Sequence, residues 1–143
     1  MSTSPAPALS HAALLGSAAG LRTFTPVVAL ARQGFWGDGR ARRLMSLMAV
    51  GEIVGDKLPM TPARTSPPAL AARAVSGALC ARARGGARAA PVGAVFAVAT
   101  AYGGERARSW IVGRSGRSDA LVAAGEDALT VALALAGARG ATR

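Results

Sequence analysis

Apolar and polar positions divide this chain into five apolar segments, separated by short stretches that hold much of the charge and several prolines. The first runs from about Ala8 to Ala31 and is interrupted by Arg22 and by Thr23-Phe24-Thr25-Pro26. Proline lacks an N–H and disfavours helix at the residue before it, so the pattern predicts a break or sharp kink between Arg22 and Pro26. The second segment runs from about Leu44 to Leu58 and stops at Pro59. The third opens with Ser66 as an N-cap and Pro67 in the first turn, and ends near Arg82. The fourth, Ala89 to Gly104, is the longest stretch without an ionisable residue. The fifth, about Asp119 to Ala138, carries Glu126 and Asp127 in its first half.

The plain transmembrane signature is about 18 or more uninterrupted apolar residues. The fourth segment offers 16, roughly 24 Å of helix. A soluble alanine-rich bundle is therefore the rival reading. Three features favour the membrane. Phe35-Trp36, Tyr102 and Trp110 lie just past segment ends, where interfacial aromatics sit. Gly16-Ser-Ala-Ala-Gly20 and Gly51-Glu-Ile-Val-Gly55 are small-xxx-small patterns within apolar runs, suited to close helix approach and to a homo-oligomer through those four glycines. Segments four and five, the latter past Asp127, lack the charged face that a soluble helix presents to water. The expected fold is all-α: a polytopic membrane bundle of about four to six spanning or half-spanning helices, the first of them broken.

Composition agrees. The 143 residues make one domain, 1–143, at 51% apolar content with 18 glycines and only 4% aromatics; mean hydropathy is +0.32. The net charge of +10 is almost wholly arginine. Arg40-Ala-Arg42-Arg43, then Arg82-Ala-Arg84 with Arg88, then Arg106 to Arg117 sit at the edges of apolar runs, so the bilayer and its anionic headgroups are the expected partners. No RNA-recognition motif, zinc-finger spacing or basic zipper is present, and nucleic acid is not expected. The clusters fall on both sides of any threading, which leaves orientation open. Cys80 and His11 are each alone, so the sequence offers no disulfide, no thiolate metal site and no Ser/His/Asp set; no catalytic residue, metal or cofactor is expected. Met1 to Ser10 lacks the basic start of a secretory signal and is expected to stay on the mature chain.

The chemistry gathers in Gly51-Glu-Ile-Val-Gly-Asp-Lys-Leu-Pro-Met-Thr-Pro-Ala-Arg-Thr65. Glu52 and Asp56 share one helix face, where two carboxylates repel unless a cation compensates them. Arginine is the natural partner, and Arg22, Arg64, Arg73 and Arg88 lie near segment ends. Three roles fit: an ion-pair network that holds helix register, a polar cavity for a substrate, proton or ion, or a surface cluster past the helix end. There is also a faint repeat. Gly20-Leu-Arg22 before Pro26 matches Gly86-Ala-Arg88 before Pro91, and Gly51-Glu52 matches Gly125-Glu126, giving halves 8–65 and 66–138. Duplicated halves with broken helices are how many transporters build a site, and Arg22 and Arg88 are then expected in equivalent positions.

These motifs, together with Asp56-Lys57-Leu-Pro59, Pro62-Ala-Arg64 and Gly125-Glu126-Asp127-Ala128, resemble the pattern of domain-of-unknown-function family 4126 over about Leu14 to Ala136. The resemblance implies a small multi-pass protein of the bacterial inner membrane and carries no activity or catalytic residue with it. The leading expectation is a small transporter or channel-like protein for an anionic or lipid-phosphate solute. Its candidate binding groups are Arg22, Glu52, Asp56, Lys57, Arg64, Arg88, Glu126 and Asp127. The alternative is a non-catalytic membrane scaffold or assembly protein whose buried charges are structural. A lipid-acting membrane enzyme with Glu52 or Asp56 as base is weakened by the lack of histidine and metal ligands.

Overall fold

The computed structural model describes residues 5–36, 38–55, 65–116 and 118–139, which are helix or connecting turn. In order these are α1 (Pro5–Leu21), α2 (Thr25–Arg32), α3 (Gly39–Gly55), α4 (Pro67–Gly85), a single 3-10 turn (Ala87–Ala89), α5 (Ala90–Ser115) and α6 (Asp119–Ala138). The fold is all-α. The first apolar segment divides where proline predicts: α1 stops at Leu21 and α2 starts at Thr25, with Pro26 in its first turn.

Two boundaries differ from the hydropathy pattern. Helix α3 begins at Gly39 and takes in Arg40, Arg42 and Arg43, because the Asp38 carboxylate accepts the N–H groups of Arg40 and Ala41 at 3.1 and 3.0 Å. That cap starts the helix before its apolar stretch does. Helix α5 runs on past Gly104 to Ser115 and stops only at Gly116, a glycine in the left-handed region at φ 62. Glu105 to Arg108 are good helix formers, so the third arginine cluster lies largely on the helix rather than beyond its end. Tyr102 and Trp110 therefore stand exposed on α5, and Trp110 carries the Arg114 guanidinium 5.3 Å from its ring centre. At α4 the cap position is as expected, but the Ser66 hydroxyl makes no capping bond. Pro67 and Pro68 leave the first two helical positions without an N–H to donate to it.

The core is built of small residues. Helices α1, α4 and α5 pack mutually, and they cross where Gly16, Gly77 and Gly93 meet. A Cβ on Gly16 or Gly77 would strike the Gly93 carbonyl, and one on Gly93 would strike that of Gly77. Gly20 is pressed in the same way against Thr100 and Ala97 of α5. This corrects the oligomer expectation for half of its residues. Gly16 and Gly20 are spent inside the chain, because close backbone approach between its own helices uses them. A Cβ on Gly51 or Gly55 would meet nothing within 4 Å. Helix α6 packs on α1 and α2, with Gly137 set against Leu15. Helix α3 rests mainly on α2 and buries none of its residues fully.

Among the described helices, α6 alone is long and apolar enough to cross a membrane; its best stretch has mean hydropathy 1.5 and is only 22% buried. Helices α1 and α3 have 17 residues each, roughly 26 Å against a hydrocarbon core of about 30 Å. Helix α5 has the length, but charge fills its second half.

Candidate functional site

The polar centre of the molecule is the break between α1 and α2. Ending one helix and starting another inside a bundle orphans carbonyls on one side and N–H groups on the other. Here side chains of other helices satisfy them. From α4, Arg73 Nη1 donates to the carbonyls of Gly20 (2.7 Å) and Leu21 (3.0 Å), and the Ser76 hydroxyl donates to that of Thr23 (2.6 Å). From α3, the Glu52 carboxylate accepts the N–H of Thr23 (2.6 Å) and of Phe24 (2.9 Å), one on each oxygen. The signs suit the helix dipoles, with a cation at the C-terminal end of α1 and an anion at the N-terminal end of α2.

Arg22, between the two helices, turns its side chain toward α6. Its Nε donates to Asp127 Oδ1 at 2.8 Å, and its Nη2 lies 2.6 Å from the same oxygen. Arg22 is 1% exposed and the Asp127 side chain 20%, so the pair is largely shielded from water. One turn earlier on α1, the Thr100 hydroxyl of α5 lies 3.1 Å from the Ser17 carbonyl. Helices α3, α4 and α6 are thus tied to one short interruption of α1–α2, and α5 to the turn before it.

Of the predicted site residues, Arg22, Glu52 and Asp127 come together at this break. Among the described residues the partners of Glu52 are two backbone N–H groups at the entry to α2 rather than an arginine. Asp56, Lys57 and Arg64 lie outside the described residues. Arg88 is exposed in the 3-10 turn after α4 and does not join the cluster. The two halves share the order helix, break, helix, helix, yet their breaks are built differently. Gly86, at φ 76, closes the second with its own N–H on the Arg82 carbonyl, so no arginine is needed there. Glu126 stands apart with Arg108, whose Nη1 is 3.8 Å from it and whose guanidinium also grips Asp119 with two hydrogen bonds. This second pairing joins α5 to α6.

Arg73 and Ser76 carry as much of the break as the predicted residues do. Arg73 is one of the candidate cations for the Glu52 and Asp56 carboxylates, but the contacts it makes at the break are to the backbone carbonyls of Gly20 and Leu21, which leave no trace in sequence. His11 Nδ1 lies 3.0 Å from the Gly137 carbonyl and helps to join α1 to α6, while Cys80 is buried in the main apolar cluster. Among the described residues no group of three His, Cys, Asp or Glu could hold a metal.

Surface clefts lie elsewhere. One of about 190 Å³ is lined by Leu21, Gly104, Arg108 and Glu126 among others; a second of the same size and an open groove of about 610 Å³ flank α3. None of the three is lined by Arg22, Glu52, Arg73 or Asp127. Comparison of the chain with protein-family models, with curated proteins and with solved structures found no match.

The break can be tested as a cap. Glu52→Ala leaves two N–H groups without their acceptor and should lower stability by about 2 kcal/mol. Glu52→Gln keeps one acceptor oxygen and should lose about half as much. Thermal melting of the purified chain in mild detergent reads both. Equal melting of wild type and Glu52→Ala would remove the capping role.

Proposed function

We propose that this chain is a non-catalytic integral membrane protein, a small scaffold or assembly factor, whose intramembrane charges serve folding and not transport. The observation that carries the reading is the closed break: Arg22, Arg73, Ser76, Glu52 and Asp127 are all engaged with protein groups in the interior. A transporter with discontinuous helices turns such helix ends toward a solute. Here Glu52 occupies one end and Arg73 the other.

Membrane residence draws support from the surface. Leu44, Leu47, Val54, Val95, Leu121 and Leu129 are each more than half exposed, while the core is mostly alanine with glycine crossings. Water penalises such an arrangement, whereas lipid accepts large apolar side chains outside and small residues at helix contacts inside. The motif resemblance to family 4126 points the same way. In this reading several helices besides α6 meet lipid at the bacterial inner membrane, shorter ones thinning it locally or lying at its interface.

Alkaline carbonate washing of membranes carrying the chain should leave it in the pellet, as it does for integral proteins. Recovery in the supernatant as a detergent-free monomer would contradict membrane residence. Reconstituted vesicles should pass anionic solutes no faster than empty ones; arginine-dependent flux would restore the transport reading.

A further inference from the structure

Helices α2 and α3 frame a groove unrelated to the break. Arg32 ends α2, and Arg42 and Arg43 open α3; with Ser46, Leu47 and Val50 they line an open groove of about 610 Å³. Below it lies a cleft of about 190 Å³ that shares Arg32 and Val50. Its remaining walls include Val28, Ile53, Val131 and Leu135, so α6 closes the side that α3 leaves open.

Two properties coincide here. The guanidinium groups of Arg32, Arg42 and Arg43 are exposed and make no ion pair or hydrogen bond among the described residues. Three like charges around one mouth repel, and an anion with several acceptor oxygens relieves them, since guanidinium binds phosphate through paired N–H donors. The adjoining cleft is walled mainly by Val, Ile, Leu and Ala, which water solvates poorly. An inorganic anion would leave that cleft bare, and an uncharged lipid would leave the arginines bare. A single amphiphile with an anionic phosphate at one end and an acyl chain at the other satisfies both.

We propose that the groove and cleft together hold one anionic phospholipid, with its phosphate on Arg32, Arg42 and Arg43 and an acyl chain between α3 and α6. This inference rests on the membrane reading above and adds to it a site with lipid selectivity.

The test is melting of the full chain in neutral detergent, titrated with phosphatidylglycerol, phosphatidylcholine or inorganic phosphate. A ligand that binds only the folded state raises the midpoint in proportion to its occupancy. Phosphatidylglycerol should raise it, phosphatidylcholine much less, and phosphate not at all. The triple variant Arg32→Gln/Arg42→Gln/Arg43→Gln should lose on the order of a hundredfold in apparent affinity for phosphatidylglycerol. Arg82→Gln/Arg88→Gln/Arg106→Gln, which removes the same charge from exposed positions elsewhere, should keep it. Ala49→Trp, which fills the cleft and leaves the arginines in place, should weaken it too. Equal responses to both lipids, reproduction by phosphate, or equal losses in the two triple variants would overturn the site. A chain that pellets with carbonate-washed membranes yet shows no lipid preference overturns the groove alone. One released by carbonate that still prefers phosphatidylglycerol overturns the integral membrane reading instead.

Discussion

Replacing Arg22 by Gln should destabilise the folded chain by about 3–5 kcal/mol, as expected for breaking a buried ion pair from one side. Arg22 is 1% exposed, and its side chain is among the largest fully buried in the molecule. Its removal strips a cation from Asp127, whose side chain is itself only 20% exposed. Asp127→Asn should be damaging for the mirrored reason. The double variant then loses less than the sum of the singles, with a coupling of about 1–3 kcal/mol, because no mismatched charge survives. Thermal melting in detergent of the wild type, both singles and the double gives the cycle. Additive losses would mean that the 2.6 Å pair contributes nothing specific to stability.

A second large effect should follow from one carbon atom at Gly93. The Cβ of Gly93→Ala would run into the Gly77 carbonyl and the Ala81 methyl. The first is backbone, so α4 and α5 must move apart and α1, which meets Gly93 through Gly16, must follow. Overpacking of this kind costs about 1–3 kcal/mol, and Gly93→Leu should abolish the folded state. Gly103 and Gly113 lie on the same helix with nothing within 4 Å of an added Cβ. Their replacement by Ala should be neutral or stabilise by up to about 1 kcal/mol, since the helix gains propensity without a clash. If Gly93→Ala melts like Gly103→Ala, the three-helix crossing is looser than described.

What could be read from the residues, and what could not, divides along a physical line. The helix break was legible because Pro26 acts locally: a missing N–H and a steric clash with the preceding residue need no knowledge of the rest of the chain. The glycine patterns announced close packing, but not with which partner. Gly16 and Gly20 turned out to serve α1 against α5 inside one chain. Arg22 was legible as a charge needing compensation, and Asp127 as one of two acids in an apolar segment, yet 105 positions separate them and only the fold joins them. Glu52 shows the limit more sharply. Its partners are two peptide N–H groups, present at every non-proline residue, so no pattern of residue types points to them. Arg22 and Arg88 show a limit of the opposite kind. The Gly-x-Arg spelling is the same, but one break lies in the interior among four other helices, while the other is an exposed turn closed by its own backbone.

The central claim is that the interruption between α1 and α2 is closed by the protein's own side chains, and amide hydrogen exchange resolved at Thr23 and Phe24 in the detergent-solubilised chain tests it most directly. Both N–H groups donate to Glu52 and should exchange as slowly as amides within α1, then become fast in Glu52→Ala while the remainder of α1 stays protected. Fast exchange at Thr23 and Phe24 in the wild-type chain would mean that water reaches the break, and the account of a sealed, structural centre would be wrong.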